Sequence, residues 1–262
     1  MFNFIFQKKK RKVSLVLSGG GAKGFFHLGV INAIRSLDIE VVEISGTSIG
    51  AIMGTIYASN PSIDFNKCLD GFNFMKFMQL TMHVKREKAV KSLEGLLSQY
   101  ISVSTFSDLK IPMSFNATNI ATGEEVIFRN GDIFPSIISS MAIPFVFPAI
   151  KVDNRYLCDG GIVNNLPISL IKTNRNDIIA SILGGELPGI RNFNDRISVL
   201  TNAYYIMEKE NVKRSIMEAK NQKGINLDII RLGSFMSTFD FRQKNIKELI
   251  NRGYKAAMRI LK

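Results

Sequence analysis

Three glycine-rich clusters hold the residue types that could do chemistry. The first is Ser18-Gly19-Gly20-Gly21-Ala22-Lys23-Gly24. Successive glycines let backbone N–H groups turn toward one point, and a helix opening behind them adds partial positive charge. Such a cradle takes a phosphate or a transient oxyanion. Lys23 opposes the dipole of that helix, which fits a site wanting positive charge or a solvated lysine. Gly19, Gly21 and Gly24 also match the Gly-x-Gly-x-x-Gly spacing of dinucleotide sites, with Glu43 close to the offset of a ribose-binding acid. The second cluster is Gly46-Thr47-Ser48-Ile49-Gly50. Between a strand and a helix, Gly-x-Ser-x-Gly makes a sharp turn that leaves the serine Oγ exposed as a nucleophile; the alternative is a plain chain reversal. The third is Asp159-Gly160-Gly161. Its aspartate is either a turn residue bonded to its own backbone or a base that takes a hydroxyl proton directly.

The choice of base is narrow. The chain has only two histidines, His27 and His83, and none follows the latter. The Ser, then Asp or Glu, then His order of α/β-hydrolases therefore fails. The His-Asp-Ser order would need Asp38 between His27 and Ser48, on a double-barrel fold that the α/β pattern contradicts. Ser48 also lacks the lysine of a Ser-x-x-Lys enzyme. A serine enzyme here needs another base, and an aspartate such as Asp159 would gain basicity from partial burial.

The elements that must position these residues alternate. Strand patterns cover Val13–Leu17, Val41–Ser45, Met113–Thr118, Glu125–Phe128, Arg155–Leu157, Ile178–Leu183 and Leu227–Leu232. Helical patterns cover Lys23–Leu37, Ile49–Ser59, Glu87–Tyr100, Asp195–Gln222 and Phe241–Leu261. This alternation predicts an α/β fold with a mainly parallel sheet and helices on both faces. No Pro/Ser-rich linker interrupts it, so residues 12–262 read as one domain behind a basic tail over residues 1–11.

Composition sets outer bounds. The 262 residues are 46% hydrophobic and 21% charged, which excludes a disordered, collagenous or coiled-coil chain. Two cysteines make no disulfide scaffold. No apolar run reaches the ~18 residues of a bilayer span. With no signal peptide recognised, the expectation is a cytoplasmic protein peripheral at the membrane. The net charge of +12 favours polyanions, and Lys8–Lys12 concentrates it behind an apolar MFNFIF start. That order is the reverse of a signal peptide. It fits a solvated tail or a segment resting on anionic lipid, each basic residue giving up to ~1 kcal/mol. No aromatic-basic motif supports specific nucleic-acid binding.

Taken together and in this order, the three clusters resemble the patatin-like phospholipase family. Phe115–Gly123 resembles that family's strand and its T-[DN]-x-x-T-G turn, Ser139–Pro148 resembles its S-x-A-I-P-x-x-F-P stretch, and Asn165 and Pro167 follow the DGG as in its pattern. The resemblance spans Lys12 to Gly185. It implies a three-layer α/β/α fold and a Ser-Asp dyad with Ser48 as nucleophile and Asp159 as base and later acid. Backbone N–H groups of Gly19, Gly20 and Gly21 would form an oxyanion hole, and Gly24, Gly46, Gly50, Gly160 and Gly161 would be motif glycines. It further implies acyl-ester hydrolysis of phospholipid or lysophospholipid with no metal or cofactor.

Around this frame, His27 lies one turn from the glycine loop, suited to packing or to a supporting hydrogen bond. His83 reads as a surface residue, and Cys158 as packing, because its strand neighbour Asp159 points the other way. The dense apolar run Phe72–Met82 suits either the core or a lipid-touching lid, and the loop Gly184–Gly189 is expected at the pocket rim. The other readings are a broad carboxylesterase, a catalytically dead membrane-binding module, and a nucleotide- or phosphate-binding protein. The last explains neither the serine elbow nor the DGG.

Overall fold

The computed structural model describes residues 10–65, 86–144, 146–172, 177–184, 194–233 and 243–262. The basic tail through Lys9, the apolar run Phe72–Met82, His83 and loop residues 185–189 lie outside them. The first strand, β1 (Lys12–Leu17), is buried on both faces over VSLVL, as a central parallel strand must be. It pairs in parallel with β2 (Glu40–Thr47) on one side and β7 (Asp177–Ile182) on the other, and β7 pairs in parallel with β8 (Asn226–Arg231). β3 (Met113–Asn119) continues the parallel set beyond β2. The pairings at this end are antiparallel: β4 (Glu125–Phe128) and β6 (Arg155–Asp159) pair with β3, and β5 (Ile150–Val152) pairs with β6.

Alternation along the strands produces the layers. Val13, Leu15 and Leu17 face one apolar cluster with α1 (Phe25–Ser36) and α2 (Ile49–Ser59), while Val16 faces a second. The first cluster also takes Leu93, Leu96 and Leu97 of α3 (Arg86–Leu97) and Ile133, Phe134, Ile137 and Ile138 of α4 (Ile133–Ser140). The second is closed by Val212, Ile216 and Ala219 of α5 (Arg196–Asn221), packed on Ile178, Ala180 and Ile182. Finally α6 (Gln243–Leu261) lies along α1. The two backbones touch at Gly253, where a Cβ would stand 2.1 Å from the Phe26 carbonyl oxygen. This is the three-layer α/β/α arrangement expected from the alternation. All the expected strands and helices within the described residues form. The sequence reading missed two short ones, β5 and α4.

Opposite the glycine loops, Arg11 pins the other edge of the sheet. Its guanidinium donates to Asp177 at 2.8 and 2.5 Å and to Asp228 at 2.7 Å, tying the starts of β1, β7 and β8 together. Lys10 pairs with Asp38. The last two residues assigned to the tail are thus held by ion pairs.

Candidate active site

The sheet register brings serine and aspartate together. Thr47, the last residue of β2, pairs with Asn116 of β3, and Asp159, the last of β6, pairs with the next residue, Ala117. β4 occupies the other edge of β3 over the same residues, so β2 and β6 share one edge, end to end. Ser48 leaves β2 where Asp159 leaves β6. The Ser48 Oγ donates to Asp159 Oδ2 at 2.6 Å.

Ser48 sits at φ 54 and ψ −121, a conformation uncommon for a residue with a Cβ and typical of a strained strand-to-helix elbow. Closeness explains the flanking glycine: a Cβ on Gly50 would lie 2.3 Å from the Leu17 carbonyl oxygen. The elbow can therefore press against the end of β1. The Ser48 N–H donates to Ser140 Oγ at 3.0 Å, at the end of α4.

Asp159 is almost fully enclosed, at 1% exposure. The Gly161 N–H donates to its Oδ1 at 2.7 Å and leaves Oδ2 for the serine. Burial pushes its carboxyl up to about 6, against the lowering effect of hydrogen bonds from Ser48, Gly161 and Tyr204. The carboxylate is ionised at neutral pH yet more basic than that of a surface aspartate. Asn116 steadies the following turn, its Nδ2 donating to Asn164 O at 3.0 Å and Glu125 Oε1 at 2.9 Å.

The glycine loop lies across from this pair. His27 fixes its start: Nε2 donates to the Ser18 carbonyl at 2.9 Å, so Nδ1 accepts from Ser181 Oγ at 2.7 Å. Burial drives the imidazole down to about 4, and it is neutral. Of the supporting roles weighed for His27, the geometry thus gives a hydrogen bond to the loop. One of the three expected oxyanion donors is corrected. The Gly19 N–H is spent on the Asn165 carbonyl at 3.1 Å, because Gly19 is still held against that chain as the loop begins. Gly20 and Gly21 are the loop residues that line the cavity of about 200 Å³ above Ser48 and Asp159. Its apolar walls come from Ile143, Pro144, Val146 and Ile197.

Other candidates fall elsewhere. Glu43 pairs with Ser14, roughly 13 Å along the strand from Ser18 at ~3.3 Å per residue, and its carboxylate accepts the Lys172 N–H. It is not placed as a ribose ligand. Cys158 is buried, its thiol pushed up to about 12 chiefly by burial, in keeping with packing. Gly184 lines a neighbouring cavity.

Two residues escaped the sequence reading. Tyr204 and Glu208 are one turn apart on α5 and line the catalytic cavity. The Tyr204 hydroxyl bonds to both the Asp159 and Glu208 carboxylates, and burial together with Asp159 pushes Glu208 up to about 8. Their i, i+4 spacing was readable; that this face meets Asp159 was not.

Residues 15–171 match the family model described as patatin-like phospholipase. The chain belongs to this family. It is 31% identical over 182 residues to an uncharacterized NTE family protein of Mycobacterium bovis, covering 68% of this chain and 51% of that one. It is 30% identical over 169 residues to the neuropathy target esterase sws of Drosophila melanogaster, covering 61% of this chain and 12% of that one. The chain thus matches about half the length of the mycobacterial relative and a small part of the esterase. In fold, this patatin-like chain is similar to VipD from Legionella pneumophila (TM-score 0.54, 17% identity, 97% of this chain and 67% of that one). It is also similar to the type III effector protein ExoU (TM-score 0.50, 14% identity, 97% and 53%).

Proposed function

We propose that the protein is a serine acyl hydrolase that cleaves fatty-acyl esters of membrane phospholipids or lysophospholipids, with Ser48 and Asp159 as its dyad. The observation that carries this reading is the 2.6 Å bond from Ser48 Oγ to a buried aspartate at a strained elbow facing Gly20 and Gly21. In the reaction, Ser48 Oγ attacks the ester carbonyl carbon as its proton passes to Asp159 Oδ2. The carbonyl electrons move to oxygen, where the N–H groups of Gly20 and Gly21 hold the charge. The tetrahedral adduct collapses, the carbon–oxygen ester bond breaks, and Asp159 returns the proton to the leaving alcohol. Water then attacks the acyl-Ser48 ester, again with Asp159 as base, and releases fatty acid and free serine.

Support for a lipid substrate comes from family membership and from the site's surroundings. Among the described residues, no helix is long and apolar enough to cross a membrane. Beside the cavity, however, the start of α5 holds Ile197 at 70% and Leu200 at 47% exposure. With the net charge of +12, this supports peripheral contact with an anionic membrane.

The test is fatty-acid release from mixed phospholipid vesicles in the presence of chelator. Wild type should release fatty acid. Ser48→Ala and Asp159→Ala should each lose at least ~10³ in rate, the scale of losing a triad member. Release by Ser48→Ala at the wild-type rate would overturn the dyad. Cleavage of a soluble short-chain ester without any release from vesicles would make the protein a carboxylesterase.

A further inference from the structure

A second cavity, of about 420 Å³, lies against the catalytic one. The two share Gly20, Tyr205 and Glu208 as a wall. Five cationic side chains line the second: Lys23, Lys209, Lys213, Lys220 and Arg231. Glu208 is the one acidic residue in that lining, and with its carboxyl raised to about 8 it is mostly neutral at pH 7. Lys213 also pairs with Glu210 at 3.6 Å and Lys23 acts on Glu208, yet the lining keeps five cations to one carboxyl.

The arrangement follows from helix and sheet geometry. Lys209, Lys213 and Lys220 recur near whole turns of α5, beside the buried Val212 and Ile216 that pack on the sheet. The same helix thus presents an apolar floor edged with lysines. Arg231 ends β8, Gly184 follows β7 and Gly20 follows β1, so the cavity opens at the carboxyl edge of the parallel strands. Asn165 also lines it, and its Oδ1, an acceptor, is buried with no hydrogen-bond partner; a hydroxyl of a bound headgroup would satisfy it, whereas phosphate oxygens would not.

We propose that this cavity binds the anionic, phosphate-bearing headgroup of the lipid whose ester lies over Ser48. The inference rests on the lipid acyl hydrolase reading and gives it a substrate class, anionic phospholipid. In a glycerophospholipid the phosphate is only a few bonds from the scissile carbonyl. Gly20 belongs to both cavities, so a carbonyl held at the glycine loop directs its headgroup into the lysine-lined space. Lysine ammonium groups supply charge-assisted bonds to phosphate oxygens, and Val212, Ile216 and Met217 cover the glycerol carbons. Inorganic phosphate offers the same anionic oxygens without the glycerol.

The experiment uses monomeric dihexanoyl lipids, which present no charged surface. Wild type is compared with a Lys209→Glu/Lys213→Glu/Lys220→Glu variant and with a Lys110→Glu/Lys151→Glu/Lys255→Glu control of equal net charge. For the cavity variant, kcat/KM on dihexanoyl phosphatidylglycerol should fall at least tenfold more than on dihexanoyl phosphatidylcholine. The control should preserve the wild-type ratio of the two. An equal loss on both lipids, or an equal shift in the control, would overturn the proposal. Calorimetric binding to Ser48→Ala protein separates this inference from the hydrolase reading. Lysine-dependent binding of the phosphatidylglycerol without turnover by wild type would sink hydrolysis and keep the headgroup site. Turnover by wild type with binding that ignores the lysines would do the reverse. Inorganic phosphate binding as tightly as the lipid would make this a phosphate site and overturn the headgroup assignment.

Discussion

In the proposed mechanism Asp159 serves as the base, and the position of its carboxylate suits it to that role. One oxygen is occupied by the Gly161 N–H and the other faces Ser48, so the proton acceptor is oriented before substrate arrives. Burial raises its pKa to about 6, near enough to neutral for useful basicity without leaving it protonated. The pH profile follows. On a soluble ester, kcat/KM should rise about tenfold per pH unit below pH 6 and level off above it, since the free enzyme must hold Asp159 ionised. A flat profile from pH 4.5 to 7 would remove Asp159 from the base role. The serine, both loop glycines and the aspartate were legible as residue types in order. Tyr204 and Glu208 were not, because tyrosines and glutamates on helices have many uses and only their neighbours choose among them.

At the scale of elements, β6 and α5 do what the motifs cannot. β6 runs against β3 and stops where β2 stops, which turns 111 residues of sequence separation into one hydrogen bond. α5 lies outside the matched family region of residues 15–171, yet it walls both cavities. Its first turns carry the exposed Ile197 and Leu200 beside the catalytic opening. Replacing both with serine should lower the rate on anionic vesicles about tenfold while reducing that on a soluble ester far less, because interfacial contact scales with apolar area. Equal losses on both substrates would place these residues in the pocket's own packing rather than at the lipid.

Across the whole molecule, buried titratable groups set opposing pH dependences. Asp159 has a raised carboxyl, so its contribution to stability is full below its ordinary 3.8 and is lost as pH rises through about 6. His27 has a lowered imidazole, so its contribution is full above its ordinary 6.5 and is lost as pH falls through about 4. Each is worth about 3 kcal/mol at ~1.4 kcal/mol per pKa unit, and over pH 4 to 6 the two nearly cancel. Asp159→Asn removes the aspartate's share and leaves His27 opposed by Glu208, whose raised carboxyl loses its own contribution as pH climbs toward about 8. Relative to wild type, the variant should gain about 3 kcal/mol between pH 4 and pH 7, read from urea unfolding at both values. A difference that stays constant with pH would show that Asp159 does not titrate in that window.

By itself the sequence determined the local chemistry. Glycines in Gly46–Gly50 allow a tight elbow, strand runs such as VSLVL demand burial on both faces, and the lack of a late histidine excludes the usual Ser-Asp-His order, while the family resemblance points to Asp159 as the candidate base. These are short-range constraints, set by sterics and periodicity within a few residues. Tertiary structure decided which groups meet. The shared edge of β3 joins Ser48 to Asp159, the Asn165 carbonyl removes Gly19 from the candidate oxyanion donors, and the packing of α5 sets Glu208 and the lysine-lined cavity beside the site. Such contacts depend on strand order and helix placement over a hundred residues or more, and no local pattern specifies them.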